Sequence, residues 1–131
     1  MSTLVLSPAI LVVNLVLKQG TDTTITLTTV DASGAAIINP TGYIARAQIR
    51  SNPTGLVLFE WNSAPSSGQG LATLTYSNTT LLSTTTLTLT AAQSALFTFS
   101  IGEWDCFLTS PSGQSACLAE GTVAVDPYVT H

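Results

Sequence analysis

The chain has 131 residues, which suits one domain able to bury roughly two-thirds of the surface it exposes when unfolded. Hydrophobic residues make up 45% and charged residues only 8%, with a net charge of −4, so disorder is excluded and serine and threonine fill the polar positions. Three basic residues, Lys18, Arg46 and Arg50, are too few to neutralise a run of phosphates, which argues against a nucleic-acid partner.

The opening stretch, MSTLVLSPAILVVNLVLKQG, is apolar but has no basic n-region, and Pro8 and Asn14 interrupt it. Its longest unbroken apolar piece, residues 9–13, falls far short of the ~20 residues of a membrane span. We therefore expect neither a signal peptide nor a membrane anchor. Residues 2–6 read as an extended lead and 10–17 as the first strand, so residues 1–13 are set as an N-terminal arm or edge strand and 14–131 as a single domain. Residues 22–30 form the next strand, with Ile25 and Leu27 on one face. Asp31-Ala32-Ser33-Gly34 makes a hairpin turn, 35–38 a short strand, and Asn39-Pro40-Thr41-Gly42 turns the chain again.

Residues 43–50, YIARAQIR, are the most informative strand. Tyr43, Ala45, Ala47 and Ile49 share one face, where the small alanines suit close approach by a second sheet. Ile44, Arg46, Gln48 and Arg50 share the other. Its two arginines either meet an acidic partner or mark a solvated surface. After the turn Ser51-Asn52-Pro53-Thr54-Gly55 come strands at 56–61, 71–76 and 81–89, with a long loop at 62–70. Of these, 81–89 alternates cleanly only from Thr86 onward. Thr90 then caps a short helical turn over 91–96.

The C-terminal hairpin pairs 103–109 with 115–125 through Ser110-Pro111-Ser112-Gly113-Gln114. Proline presets the φ of the first central turn position, and glycine takes the positive φ that closes the turn. Trp104, Cys106 and Leu108 alternate with Asp105, Phe107 and Thr109, a period of two. Asp126-Pro127 ends the last strand, because proline has no N–H for the ladder. Cys106 and Cys117 lie on opposite arms, and a two- or four-residue loop centred on Pro111-Ser112 sets them face to face. They are either a possible disulfide or two packed thiols of a reducing compartment.

Short strands at ~8–12-residue spacing, with no βαβ alternation and no internal repeat, predict an all-β fold, an antiparallel sandwich or barrel. The expected architecture is an antiparallel Ig-like or jelly-roll-type β-sandwich of about eight strands, with one short helical turn at about 91–96.

Chemistry is sparse. The only histidine is His131, and Asp22, Asp31 and Asp126 sit at turns without the spaced carboxylates of a calcium loop, so no metal is expected. Glu103 and Asp105 share a strand face instead of flanking a cleft, which disfavours glycoside hydrolysis. No nucleophile elbow, phosphate loop or dinucleotide fingerprint occurs, and Asn78-Thr79-Thr80, though it matches a glycosylation pattern, reads as a turn. Catalytic residues and cofactors are accordingly expected to be absent.

The order of motifs nevertheless carries a likeness. Leu17-Lys18-Gln19-Gly20-Thr21-Asp22, Asp31-Ala32-Ser33-Gly34, Pro40-Thr41-Gly42-Tyr43 leading into Ala45-Arg46-Ala47-Gln48-Ile49-Arg50, and Leu87-Thr88-Leu89-Thr90-Ala91 run in sequence. The residues from Gly102 to Gly113 and from Glu120 to Thr130 complete the set. Together they resemble the β-sandwich domain at the N-termini of phage upper-baseplate and tail-fibre proteins, also found as small stand-alone virion proteins. The likeness covers nearly everything after residue 14; the two cysteines and the apolar lead depart from it. It implies a non-enzymatic virion structural protein, a tail, baseplate or fibre-attachment connector with other virion proteins and copies of itself as partners. With no long fibre-forming region after Thr130, a connector or decoration unit is expected and not a complete fibre. A capsid decoration (cement) protein and a host-glycan-binding module are the alternatives, the latter needing an exposed Trp61 or Trp104. Candidate protein–protein contacts are Leu4, Leu6, Ile10, Arg46, Arg50 and Tyr128. The lead is suited to pairing with a neighbour's sheet edge.

Overall fold

Threonine alternating with leucine, isoleucine and alanine drives most of the chain into extended backbone, since β-branched residues fit a pleated, half-buried surface. The computed structural model describes residues 11–30, 35, 37–52 and 55–127. Its strands are β1 (Leu11–Val12), β2 (Leu15–Lys18), β3 (Thr23–Thr29), β4 (Ile44–Arg50), β5 (Val57–Asn62), β6 (Gly70–Ser77), β7 (Leu82–Leu89), β8 (Ile101–Thr109) and β9 (Ser115–Asp126). One short helix, α1 (Ala91–Ala95), lies between β7 and β8. The mostly-β expectation and the helical turn both hold.

The strands form one hydrogen-bonded path, β1-β9-β8-β4-β5-β6-β7-β3, with β2 following β1 along β9. The far end of the path, β3, comes back into contact with β9, so the sheet nearly closes into a barrel. The pairing is not antiparallel throughout. β1 and β2 run parallel to β9, and β5 meets β6 in parallel through just Trp61↔Gly70 and Asn62↔Leu71.

Nine strands appear among the described residues because the first expected one is broken. Val13 N–H donates to Glu120 O at 2.8 Å, and Val13 O accepts from Trp104 Nε1 at 2.7 Å. Asn14 Oδ1 then accepts from the backbone N–H and the hydroxyl of Thr122, at 3.2 and 3.0 Å. These bonds pin a kink between β1 and β2 at the boundary between residues 13 and 14. Residues 35, 37 and 38 are not strand, yet Ile37 is buried and its carbonyl accepts the Ser83 hydroxyl. The Asp31–Gly34 turn lies outside the described residues.

The core follows the predicted faces of β4 and β8: Ala45, Ala47, Ile49, Trp104, Cys106 and Leu108 all point inward. Trp61, fully buried, anchors an aromatic chain in which Phe59 meets it edge-on at 5.0 Å, Phe97 meets Phe59 at 5.3 Å, and Phe99 follows at 4.9 Å. In β7 the alternation runs the whole strand, with Ser83 and Thr85 buried beside Leu87 and Leu89. A buried hydroxyl is tolerated only with a partner, and Thr85 shares a 2.7 Å bond with Thr29.

α1 is held by its caps. Thr90 and Gln93 form a reciprocal capping box, Ala91 N–H donates to Asp22 Oδ1 at 2.7 Å, and Gln19 Nε2 donates to the carbonyls of Ala95 and Phe97. The buried Ser94 hydroxyl accepts from Gly20 N–H and lies within bonding distance of Thr21 O, tying the helix to the turn after β2.

Candidate functional site

In a chain this poor in charge, position matters more than number. Four of the seven acidic residues (Glu60, Glu103, Asp105 and Glu120) and two of the three basic ones (Arg46 and Arg50) fall on one surface, the outward face of β9-β8-β4-β5. Register brings them there. One row reads Glu60–Gln48–Asp105–Glu120, with Val12 of β1 beyond it. The next reads Val57–Arg50–Glu103–Thr122, and on the other side Asn62–Arg46–Phe107–Cys117.

Two shallow hollows lie on this face. One of about 340 Å³ is bordered by Val12, Gln48, Arg50, Glu103, Asp105 and Glu120. The other, of about 600 Å³, is bordered by Ile44, Arg46, Asp105, Phe107, Thr109 and Ser115. Exposed apolar side chains flank the charges: Ile44 and Phe107 at one end, Val57, Ile101 and Val16 at the other. Val16 and Ile101 are both paired with Ala124, so they form one apolar row.

The two halves of the face are wired differently. On β5, Glu60 is largely covered and accepts hydrogen bonds from Gln48 (2.6 Å), Arg46 (3.3 Å), Asn62 (3.2 Å) and Gln69 (3.1 Å). Burial pushes its carboxyl up, but the bonds from Gln48 and Asn62 and the charge of Arg46 outweigh that and hold it below its ordinary value. On β8, Asp105 receives no hydrogen bond among the described residues. Burial pushes its carboxyl up, Arg50 and Arg46 pull it down, Glu120 pushes it up, and the net direction is upward.

These opposite shifts give opposite pH responses. Glu60 contributes stability that is present above its unfolded value of about 4.5 and is lost as pH falls through the lower folded one. Ionised Asp105 opposes folding, so its favourable contribution is present below about 3.8 and is lost as pH rises through the higher folded value. At neutral pH, Glu60→Gln is therefore expected to lower Tm by a few degrees and Asp105→Asn to raise it slightly. Both differences should shrink toward pH 3 in thermal melts.

The sequence-derived site residues divide. Arg46 and Arg50 share the face as expected, with Arg50 donating to Gln48 Oε1 and Gly55 O. Leu4, Leu6, Ile10 and Tyr128 lie outside the described residues. The cysteines do not face each other: Leu118 is an extra residue in β9, so Cys106 pairs with Ala119 and Cys117 with Phe107. Cys106 is buried in the core, Cys117 is half-buried, and both are free thiols. Burial pushes the Cys106 thiol up to about 12, with Cys117 and Asp105 adding to the shift. Cys117 is also raised, by burial first and then by Glu120 and Asp105. At pH 7.5 iodoacetamide should modify Cys117 slowly and Cys106 only after unfolding, which peptide mass mapping checks. Equal labelling of both in the folded protein would contradict this placement.

Trp61 and Trp104 are buried at 0% and 3% exposure, so neither offers a ring to a sugar, and the glycan-binding reading loses its platform. Glu103 and Asp105 share the outer face of β8 and border the same shallow hollow. Among the described residues no group of three or more His, Cys, Asp or Glu side chains is placed to hold a metal ion, and no helix is long and apolar enough to cross a membrane. Reasoning from sequence missed Glu60, Glu120 and Phe107 as members of this face. Alternation hinted at it strand by strand, but cross-strand register alone assembles it.

No protein-family model matches the chain, and no curated protein matches it. Among solved structures, one from a study of the multimeric cell-adhesive interactions of VGSC beta subunits matches over 89% of this chain and 92% of its own, at 12% identity and a TM-score of 0.44. A likeness at that level sets no role for this chain.

Proposed function

We propose that this chain is a non-enzymatic structural protein of a bacteriophage virion, a tail, baseplate or fibre-attachment connector that works through protein–protein contacts. Other virion proteins and copies of itself are its partners. We also read the strand path as two layers, β1/β2-β9-β8-β4-β5 over β6-β7-β3, folded at the short β5–β6 link into an Ig-like sandwich. The observation that supports the contact reading is the outer face of β9-β8-β4-β5, where most of the scarce charge and several exposed apolar side chains collect. A broad, shallow surface of mixed character suits a protein partner better than a small substrate, which is normally held in a deep and mostly apolar pocket. The phage assignment rests on the ordered turn-and-strand motifs.

Mass spectrometry of purified virions, with labelled imaging to locate the chain, tests the reading. The expected result is a fixed copy number per particle on the tail. Absence from virions overturns the proposal. Labelling confined to the capsid shell overturns the tail placement and favours a cement protein.

A further inference from the structure

The charges of the outer face are sorted by strand. The β4–β5 half holds Arg46, Arg50 and Glu60, and Glu60 is already engaged by Arg46. The β8–β9 half holds Glu103, Asp105 and Glu120 and no basic residue. A surface whose one half carries two arginines against one glutamate, and whose other half carries three carboxylates, complements itself under one symmetry operation and opposes itself under another.

We propose that this face is the contact between two copies of the chain, packed face to face about a two-fold axis that runs parallel to the strands between β4 and β8. The inference rests on the reading of the face as a contact surface and names its occupant.

That axis lays β4 of each copy over β8 of the other, and it does so reciprocally. Because Arg50 pairs with Glu103 across the β4–β8 ladder, each Arg50 then faces the partner's acidic column at Glu103. Arg46, level with Phe107, lies over the partner's exposed ring, a cation–π geometry, with the acidic Asp105 one row away. Stacked sheets sit about 10 Å apart, a gap that arginine and glutamate side chains span. At the apolar end, Val57 is carried toward the partner's Thr122 and Ala124. An in-plane axis perpendicular to the strands instead sets the acidic β8–β9 column against itself, and like charges in register cost several kcal/mol. The strand-parallel axis does bring Glu60 level with the partner's Glu120, but Glu60 is already bonded by Gln48, Arg46, Asn62 and Gln69, so the two Arg50–Glu103 contacts decide and the charge layout selects both the occupant and the axis.

The patch is modest. Four strands about 4.8 Å apart and about seven residues long cover roughly 500 Å² per copy, near the lower limit for a specific interface. The dimer is therefore weak and reversible, with a Kd on the order of tens of micromolar, and is sensitive to salt.

Sedimentation equilibrium on the full chain tests this. Wild-type protein should dimerise in that range, with affinity falling about 10-fold as NaCl rises from about 0.05 to about 0.5 M. Arg50→Glu and Glu103→Arg should each weaken self-association at least ~10-fold, since each sets like charges face to face. Mixing the two variants should restore dimers, because the two reversed charges then face each other at one contact while the other contact keeps the native Arg50–Glu103 pair. Arg50 also bonds Gln48 and Gly55, so if its variant does not fold, Glu103→Arg and the salt series decide. A wild-type chain that stays monomeric to about 1 mM overturns the proposal, as does a mixture that fails to dimerise. If the monomer's face is found covered by a different protein in the virion, self-contact is overturned while the broader contact reading stands.

Discussion

Trp61→Ala is expected to cost about 3–5 kcal/mol, the range for removing a large buried aromatic side chain. The indole is fully buried, contacts Phe59 edge-on at 5.0 Å and donates from Nε1 to Thr88 O at 3.1 Å. It also occupies the corner where the sheet path passes from β5 to β6. That link is two residue pairs long, and one of them is Trp61↔Gly70. Gly70 is glycine for this reason: a Cβ there would lie 2.4 Å from the ring's Cδ1. Truncation therefore opens a cavity, removes the indole donor to the Thr88 carbonyl and loosens the joint between β5 and β6. Urea denaturation should show a much lower midpoint with the slope retained. A loss below about 1 kcal/mol would mean that the β5–β6 corner does not depend on this side chain.

Gly121→Val should dislodge the N-terminal edge. A Cβ at this position would lie 2.0 Å from Val13 O and 2.7 Å from Val13 C, both main-chain atoms that cannot swing aside. The same carbonyl accepts from Trp104 Nε1, and Asn14 beside it is bonded to Thr122. Moving Val13 breaks that clamp and leaves the indole N–H of Trp104 without its acceptor, at a cost on the order of 2–4 kcal/mol. Faster amide exchange in β1 and β2, with β3–β8 little changed, is the expected readout. Gly113→Ala is the control. Gly113 has a φ of +91° and nothing within 4 Å of an added Cβ, so only the left-handed backbone is penalised, by about 1 kcal/mol. Equal losses in the two variants would refute the clamp.

What the sequence made legible was local. The faces of residues 43–50 and of Trp104–Thr109 follow from a period of two, the helix start from Thr90, and the turn at Ser110–Gln114 from proline and glycine. What it hid was non-local. Ser83 and Thr85 look like surface residues until Ile37 O and Thr29 are seen to satisfy them. The extra residue Leu118 shifts the register of β9, which separates cysteines that a simple hairpin would have opposed. The parallel pairing of β1 and β2 with β9 joins the two ends of the chain, a relation no window of sequence contains. The candidate surface is hidden for the same reason, since Glu60, Arg46, Asp105 and Glu120 come from four strands and only their register makes them neighbours.

A near-atomic image of the particle that carries this chain would weigh the account most directly, by showing which surface is covered. The expected result is Arg46, Arg50, Glu103, Asp105 and Phe107 buried against another protein subunit. Finding that sheet face open to solvent, with every contact made through other parts of the chain, would contradict it.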